Sequence, residues 1–137
     1  MSVPEGKRKY NPMKVHDRAR ELASYTAKIC SNEKVFSPAV DAELVKRIKN
    51  YAYDIHEKAW AANKLRADTS HVERELRYTA QVESIELCER LLSAINVAKS
   101  VFHLRSKRIK YWSEKVREVE TLLQKWKESD VNRYGKP

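Results

Sequence analysis

SPAVDAELVKRIKNYAYDIHEKAWAANKLR, residues 37–66, holds one proline, at its second position, and no glycine. Ser37-Pro38 reads as an N-cap followed by proline at the first helical position, where an N–H would have no partner anyway. After it Val40, Leu44, Ile48, Tyr51, Ala52, Ile55, Ala59 and Ala62 recur three and four residues apart. That spacing puts them on one stripe of an α-helix. The pattern predicts a helix to about Arg66, roughly 43 Å long at ~1.5 Å per residue.

The same punctuation governs the rest of the chain. No glycine intervenes between Gly6 and Gly135, and no proline between Pro38 and Pro137. A chain so poor in both has few ways to make hairpins, bulges or left-handed turns. Glycine-rich phosphate loops and strand-borne nucleophile elbows are excluded with them. Upstream, Asn11-Pro12 repeats the cap-then-proline signal. Val15, Ala19, Leu22, Ala23, Thr26 and Ile29 then predict a helix to about Cys30. Downstream, Ser70 and Glu73 have the spacing of a capping box. They open a helix to about Val101. Its second half is apolar over more than one face, through Ile85, Leu87, Cys88, Leu91, Leu92, Ala94, Ile95, Val97, Ala98, Val101 and Phe102. Such a helix is central or meets a second subunit. After a break at residues 102–105, Ser106 is expected to cap a fourth helix. Its stripe is Ile109, Trp112, Val116, Val119, Leu122, Leu123 and Trp126.

Four helices with short connections predict an all-α, antiparallel up-down four-helix bundle. The expected organisation is a disordered basic arm over residues 1–11, the bundle over 12–128 and a polar tail over 129–137. Trp112 and Leu92 are expected in the core. At 137 residues, 42% hydrophobic and 34% charged, the chain suits one domain of amphipathic helices. No apolar run reaches the ~20 residues of a membrane span, so no membrane partner is expected. Residues 1–14 lack the apolar stretch of a signal peptide. Cys30 and Cys88 fall on apolar faces far apart, as reduced core thiols would, and a cytoplasmic location goes with them.

The net charge is +9, from 28 Lys and Arg against 19 Asp and Glu. Residues 7–14 carry Lys7, Arg8, Lys9 and Lys14 with no acid. Residues 105–117 carry Arg105, Lys107, Arg108, Lys110, Lys115 and Arg117 against Glu114 alone. These two segments hold the whole excess, and clustered charge points to a polyanion. Helix N-termini ordinarily carry acids, because their free N–H groups are positive. Lys107, Arg108 and Lys110 break that preference within one turn. A phosphate would satisfy both side chains and backbone; a solvated charge run is the plain alternative. In an up-down bundle this turn lies at the same pole as the start of helix two, which is expected to bring it near Lys34, Lys46, Arg47 and Lys49. A second stripe along helix two, Lys46, Lys49, Tyr53, His56, Trp60 and Lys64, interleaves bases with aromatics as single-strand binders do. A neighbouring subunit is an equal use for Tyr53 and Trp60. Tyr111, between Arg108 and Lys115, poses the same choice.

No catalytic constellation is present. His16, His56, His71 and His103 are scattered singles. The di-iron carboxylate bundles need two Glu-x-x-His motifs, and the chain has none. No enzyme activity, metal or cofactor is expected.

Two segments resemble a known family. AELVKRIKNYAYDIHEKAWAANK, residues 42–64, resembles the second helix of the ribosomal-RNA intervening-sequence four-helix-bundle family, with its leucine/arginine start, central isoleucine and late Ala-Asn. Val119–Trp126, followed by Val131-Asn-Arg-Tyr-Gly135, is similar to the C-terminus of the related accessory variability determinant (Avd) proteins of diversity-generating retroelements. The resemblance spans roughly residues 15–135. It implies a small basic bundle that assembles as a barrel-shaped homopentamer. Such a protein binds a reverse transcriptase and its template RNA, and DNA as a second nucleic acid. It supports mutagenic cDNA synthesis without catalysis of its own. Onto this chain it carries Lys46, Arg47 and Lys49 of helix two, and Arg105, Lys107, Arg108 and Lys110 at the start of helix four, as nucleic-acid contacts. The rival expectation is a helical oligomeric scaffold whose partners are proteins only.

Overall fold

The computed structural model describes residues 12–137. The arm assigned to residues 1–11 lies outside them. The chain forms four helices: α1 Pro12–Cys30, α2 Pro38–Lys64, α3 His71–Val101 and α4 Ser106–Tyr134. No strand occurs among the described residues.

The helices pack as a square, with α1 against α2, α2 against α3, α3 against α4 and α4 against α1. Cross-helix contacts run in opposite directions along every pair. On α1 and α4, Tyr25 meets Trp112 while Arg18 meets Glu118. On α2 and α3, the Ser84 hydroxyl donates to the Ile55 carbonyl at 3.0 Å, and Arg77 donates to the Leu65 carbonyl. The bundle is therefore antiparallel, up and down. One pole holds the end of α1, the start of α2, the end of α3 and the start of α4; the other pole holds the reverse.

The apolar stripes meet inside. Trp112, Trp126, Phe36, Leu22, Ile48, Ile55, Leu91, Ile95 and Leu123 are the largest fully buried side chains. Ala52, Ala59 and Ala62 on α2 are buried too, and small side chains let neighbouring helix axes approach. Trp112 is in the core as expected. Leu92 is only partly buried, packed at the core's edge.

The breadth of α3 has a local explanation. Ile85, Cys88, Leu91, Ala94, Ile95 and Ala98 are buried within the bundle, while Leu87, Leu92 and Phe102 pack partly against it. α3 lies between α2 and α4 and fills two grooves, so its apolar arc is wide. Only Val97 of that run is strongly exposed. A second subunit is not needed to cover it.

Three helix ends differ from the sequence expectation. Ser37 makes no side-chain cap. Asp41 does so instead: its backbone is extended (φ −164°), and its Oδ1 accepts from the Leu44 N–H at 2.9 Å. A carboxylate is the stronger acceptor at a positive helix end, so the regular helix starts one turn later. Ser106 is the first residue of α4, not its cap; Arg105 holds the cap position without a side-chain hydrogen bond. Finally, the tail expected from residue 129 is helical through Tyr134. The reason is Asp130, which sits one turn beyond Trp126 and takes a buried partner from α3. The Ser70 cap is present, its hydroxyl accepting from the Glu73 N–H at 3.2 Å. The Glu73 carboxylate, however, turns to the Arg66 N–H.

Candidate nucleic-acid interface

The pole where α4 begins is built on aromatic packing. Phe36, from the connection between α1 and α2, is 1% exposed. Its ring lies 5.2 Å from Phe102 and 6.0 Å from Trp112. It thereby pins that connection over the end of α3 and the start of α4. The Trp112 Nε1–H donates to the Thr26 hydroxyl at 3.1 Å, so its one polar group is satisfied inside.

The connection before α4 sets where its cations emerge. His103 has φ +54°, the left-handed conformation in which a helix commonly ends. The Leu104 N–H then bonds back to the Lys99 carbonyl, and Leu104 is buried. This turn delivers Arg105 directly to the helix start. The first backbone bond of α4 runs from the Ile109 N–H to the Arg105 carbonyl. The N–H groups of residues 106–108 therefore have no acceptor in their own helix. No acid occupies that first turn.

Outside the aromatic layer stand the seven basic residues expected to bind nucleic acid. Lys46, Arg47, Arg105, Lys107 and Lys110 are exposed, and Lys49 and Arg108 half-buried. Arg47 pairs with Glu43 at 3.4 Å, an exposed i,i+4 contact. The other six make no ion pair among the described residues. All seven lie at one pole. Contrary to the expected single cluster, they do not form one patch, because α2 and α4 occupy diagonal corners of the square. Lys46 and Lys49 border the α1–α2 groove beside Cys30, Arg47 stands on the far side of α2 next to Glu43, and Arg105, Lys107, Arg108 and Lys110 hold the opposite corner. Exposed Lys34 lies on the connection that crosses this pole.

The fields of these cations reach the core boundary. Burial pushes the Cys30 thiol up to about 11, with Lys49 pulling the other way. Cys88, deeper, is raised further by burial and then by Glu120 and Glu89. Tyr25 is raised by burial against the opposing charge of Arg108. Both thiols are free and buried, hence protonated and inert at neutral pH.

Sequence reasoning missed two features. Lys115 reaches over both Tyr111 and Tyr25, at 5.1 and 5.6 Å from their ring centres, which extends the basic corner down the α1–α4 face. Tyr25 lies outside the α1 stripe of Val15, Ala19, Leu22, Ala23, Thr26 and Ile29, and so drew no reading from the sequence. At the other pole, Arg77 and Asp130 form a bidentate pair at 2.7 and 2.8 Å, joined by the Gln81 amide. The signal available was the four-residue spacing of Trp126, Asp130 and Tyr134. Among the described residues, no group of His, Cys, Asp or Glu is arranged to hold a metal ion, and no helix is long and apolar enough to cross a membrane. No protein-family model, curated protein or solved structure matches the chain.

Proposed function

We propose that the chain is a non-catalytic nucleic-acid-binding bundle, acting as an accessory subunit of a retroelement reverse transcriptase that binds template RNA and the polymerase. The observation that carries the binding half is the set of unpaired cations around an uncapped helix start. Arg105, Lys107, Arg108 and Lys110, without a carboxylate partner and beside free N–H groups, suit phosphate oxygens, and unpaired Lys46 and Lys49 add charge at the diagonal corner. The polymerase and retroelement half rests on the resemblance at residues 42–64 and 119–135, as does a cyclic homopentamer. In such a ring the pole would recur once per subunit, and long RNA would bind with avidity.

The test is RNA affinity against salt. With six or seven phosphate contacts, affinity should fall on the order of 10³-fold between ~50 and ~200 mM salt. The triple variant Lys107→Glu, Arg108→Glu, Lys110→Glu should lose most of that binding and its salt slope. Its thermal midpoint should hold or rise slightly, since acids suit that helix end. Unchanged RNA affinity in the triple variant would remove the site. Sedimentation at micromolar concentration reads the subunit number directly.

A protein-only scaffold is the second reading, favoured by one observation. Tyr53 and Trp60, 41% and 47% exposed, lie on α2 among charges that cancel. A neutral aromatic stripe fits a protein partner better than a phosphate backbone.

A further inference from the structure

Among the described residues, three aromatic rings are exposed on helix faces: Tyr53 and Trp60 on α2, and Tyr111 on α4. Their surroundings differ. The helical neighbours of a residue lie three and four positions away. For Trp60 these are His56, Glu57, Asn63 and Lys64, one acid against one base. The Lys64 ammonium already lies 3.9 Å from the Trp60 ring centre, and the surface around it includes Asp54 and Glu57. For Tyr53 they are Lys49, Asn50, His56 and Glu57, again balanced. For Tyr111 they are Lys107, Arg108, Glu114 and Lys115, three bases against one acid. Lys28, in the last turn of α1, stands one turn from Tyr25 on the facing helix.

Tyr111 is also held in place. Its ring meets that of Tyr25 edge-on, with centres 5.3 Å apart and planes at 69°. Tyr25 in turn abuts buried Trp112. Tyr111 remains 52% exposed, and the Lys115 ammonium lies 5.1 Å from its ring centre, a mobile cation that an incoming base would displace or share. Lys107 and Lys115 lie about 6 Å along the axis on either side of it. A fixed, half-exposed ring flanked by cations at both ends offers a π-face to a base once Lys115 swings aside, and charges to its two neighbouring phosphates.

We propose that Tyr111 is a stacking platform for an unpaired nucleobase, which makes the α1–α4 face at this pole a single-strand site. The proposal rests on the nucleic-acid reading above and deepens it. A paired base keeps its faces stacked inside the helix, so a duplex cannot use the ring. Base–aromatic stacking is sequence-tolerant, because every base has a π-face. The site should accept any unpaired nucleotide and discriminate against regular duplex.

The experiment compares three probes of equal phosphate number: single-stranded RNA, the same strand with abasic positions, and a duplex. Each is titrated into the wild type, Tyr111→Leu and Tyr111→Phe. Tyr111→Leu should weaken single-stranded RNA by roughly 10-fold, the middle of the range for one stacked base. Its affinity for the abasic strand and the duplex should not move, and the salt slope should stay the same. Tyr111→Phe keeps the π-face and should bind as wild type, which separates stacking from any loss of packing with Tyr25. Three results overturn the proposal. Equal weakening on all probes makes Tyr111 a general packing residue. No change on any nucleic acid assigns the ring to a protein surface. Wild-type affinity that is absent for all three probes removes the nucleic-acid reading itself, a failure distinct from that of Tyr111.

Discussion

At the pole where α4 begins, aromatic rings are packed inside and the cations stand outside; where α4 ends, the cations themselves are packed. Arg77 uses three nitrogens: Nε and Nη2 on the Asp130 carboxylate, and Nη1 on the Leu65 carbonyl at 3.1 Å. Its guanidinium lies 5.0 Å from the Trp126 ring centre. Arg74 donates to the Ala67 and Tyr134 carbonyls at 3.0 and 2.8 Å. These arginines fasten the α2–α3 connection to the end of α4. Both poles are rich in Lys and Arg. At the first, six of the seven cations have no carboxylate partner among the described residues; at the second, Arg74 and Arg77 spend their donors on the fold itself. A count of bases cannot separate a structural cation from one available to a ligand; the tally of its hydrogen bonds can.

The sharpest way to break the comparison is to damage each pole where it is held. Trp112→Ala removes the ring that joins Tyr25, Phe36 and Thr26. It should cost about 3–5 kcal/mol, measured by denaturant midpoint. The loss should be nearly independent of salt, because the packing is apolar. A shift below ~1 kcal/mol would mean that the aromatic layer does not hold this pole.

Asp130→Ala acts on the other pole and should come next, at about 3 kcal/mol. The Arg77 and Asp130 side chains are 15% and 14% exposed, so removing the carboxylate strands a desolvated guanidinium. Replacing both, as Arg77→Met with Asp130→Leu, should recover much of that loss, because no charge is then left unpaired. If the double variant is no better than Asp130→Ala, the interaction is not the charge pair, and the two poles differ less than their geometry says. Neither substitution should alter RNA affinity at the opposite pole.

The same contrast sorts what was legible in the sequence. Helix identity followed from period and punctuation, since no glycine lies inside the bundle to confuse it. The pole of the basic cluster followed from short connections, which force alternating directions. Three things did not follow. The diagonal placement of α2 and α4 depends on which way the square closes, and periodicity along single helices is silent about that. The last turn of α4 looked polar because Asp130 is polar, yet it occupies a core-facing position made tolerable by Arg77. The apolar width of α3 left a central helix and a subunit contact both open, and the two grooves it fills account for most of that width. In each case the missing information is a partner on another helix.

His103 offers the finest test of whether packing and charge at the basic pole are separable. It is the one residue other than glycine with positive φ among the described residues, at +54°, and it is exposed. The left-handed conformation crowds a Cβ against the following carbonyl, and glycine avoids that strain. The turn is needed, because it lets the Leu104 N–H reach the Lys99 carbonyl at 3.1 Å and drives Leu104 into the core. His103→Gly should therefore stabilise the fold by about 0.5–1 kcal/mol, the relief of strain exceeding the added entropy of an unfolded glycine. It removes none of the seven pole cations and leaves the α4 start where it is. RNA affinity and its salt slope should stay at the wild-type value while the thermal midpoint rises. A gain in stability accompanied by weaker binding would show that the His103 side chain or the stiffness of its turn contributes to the site, and packing and charge at this pole would then not be separable.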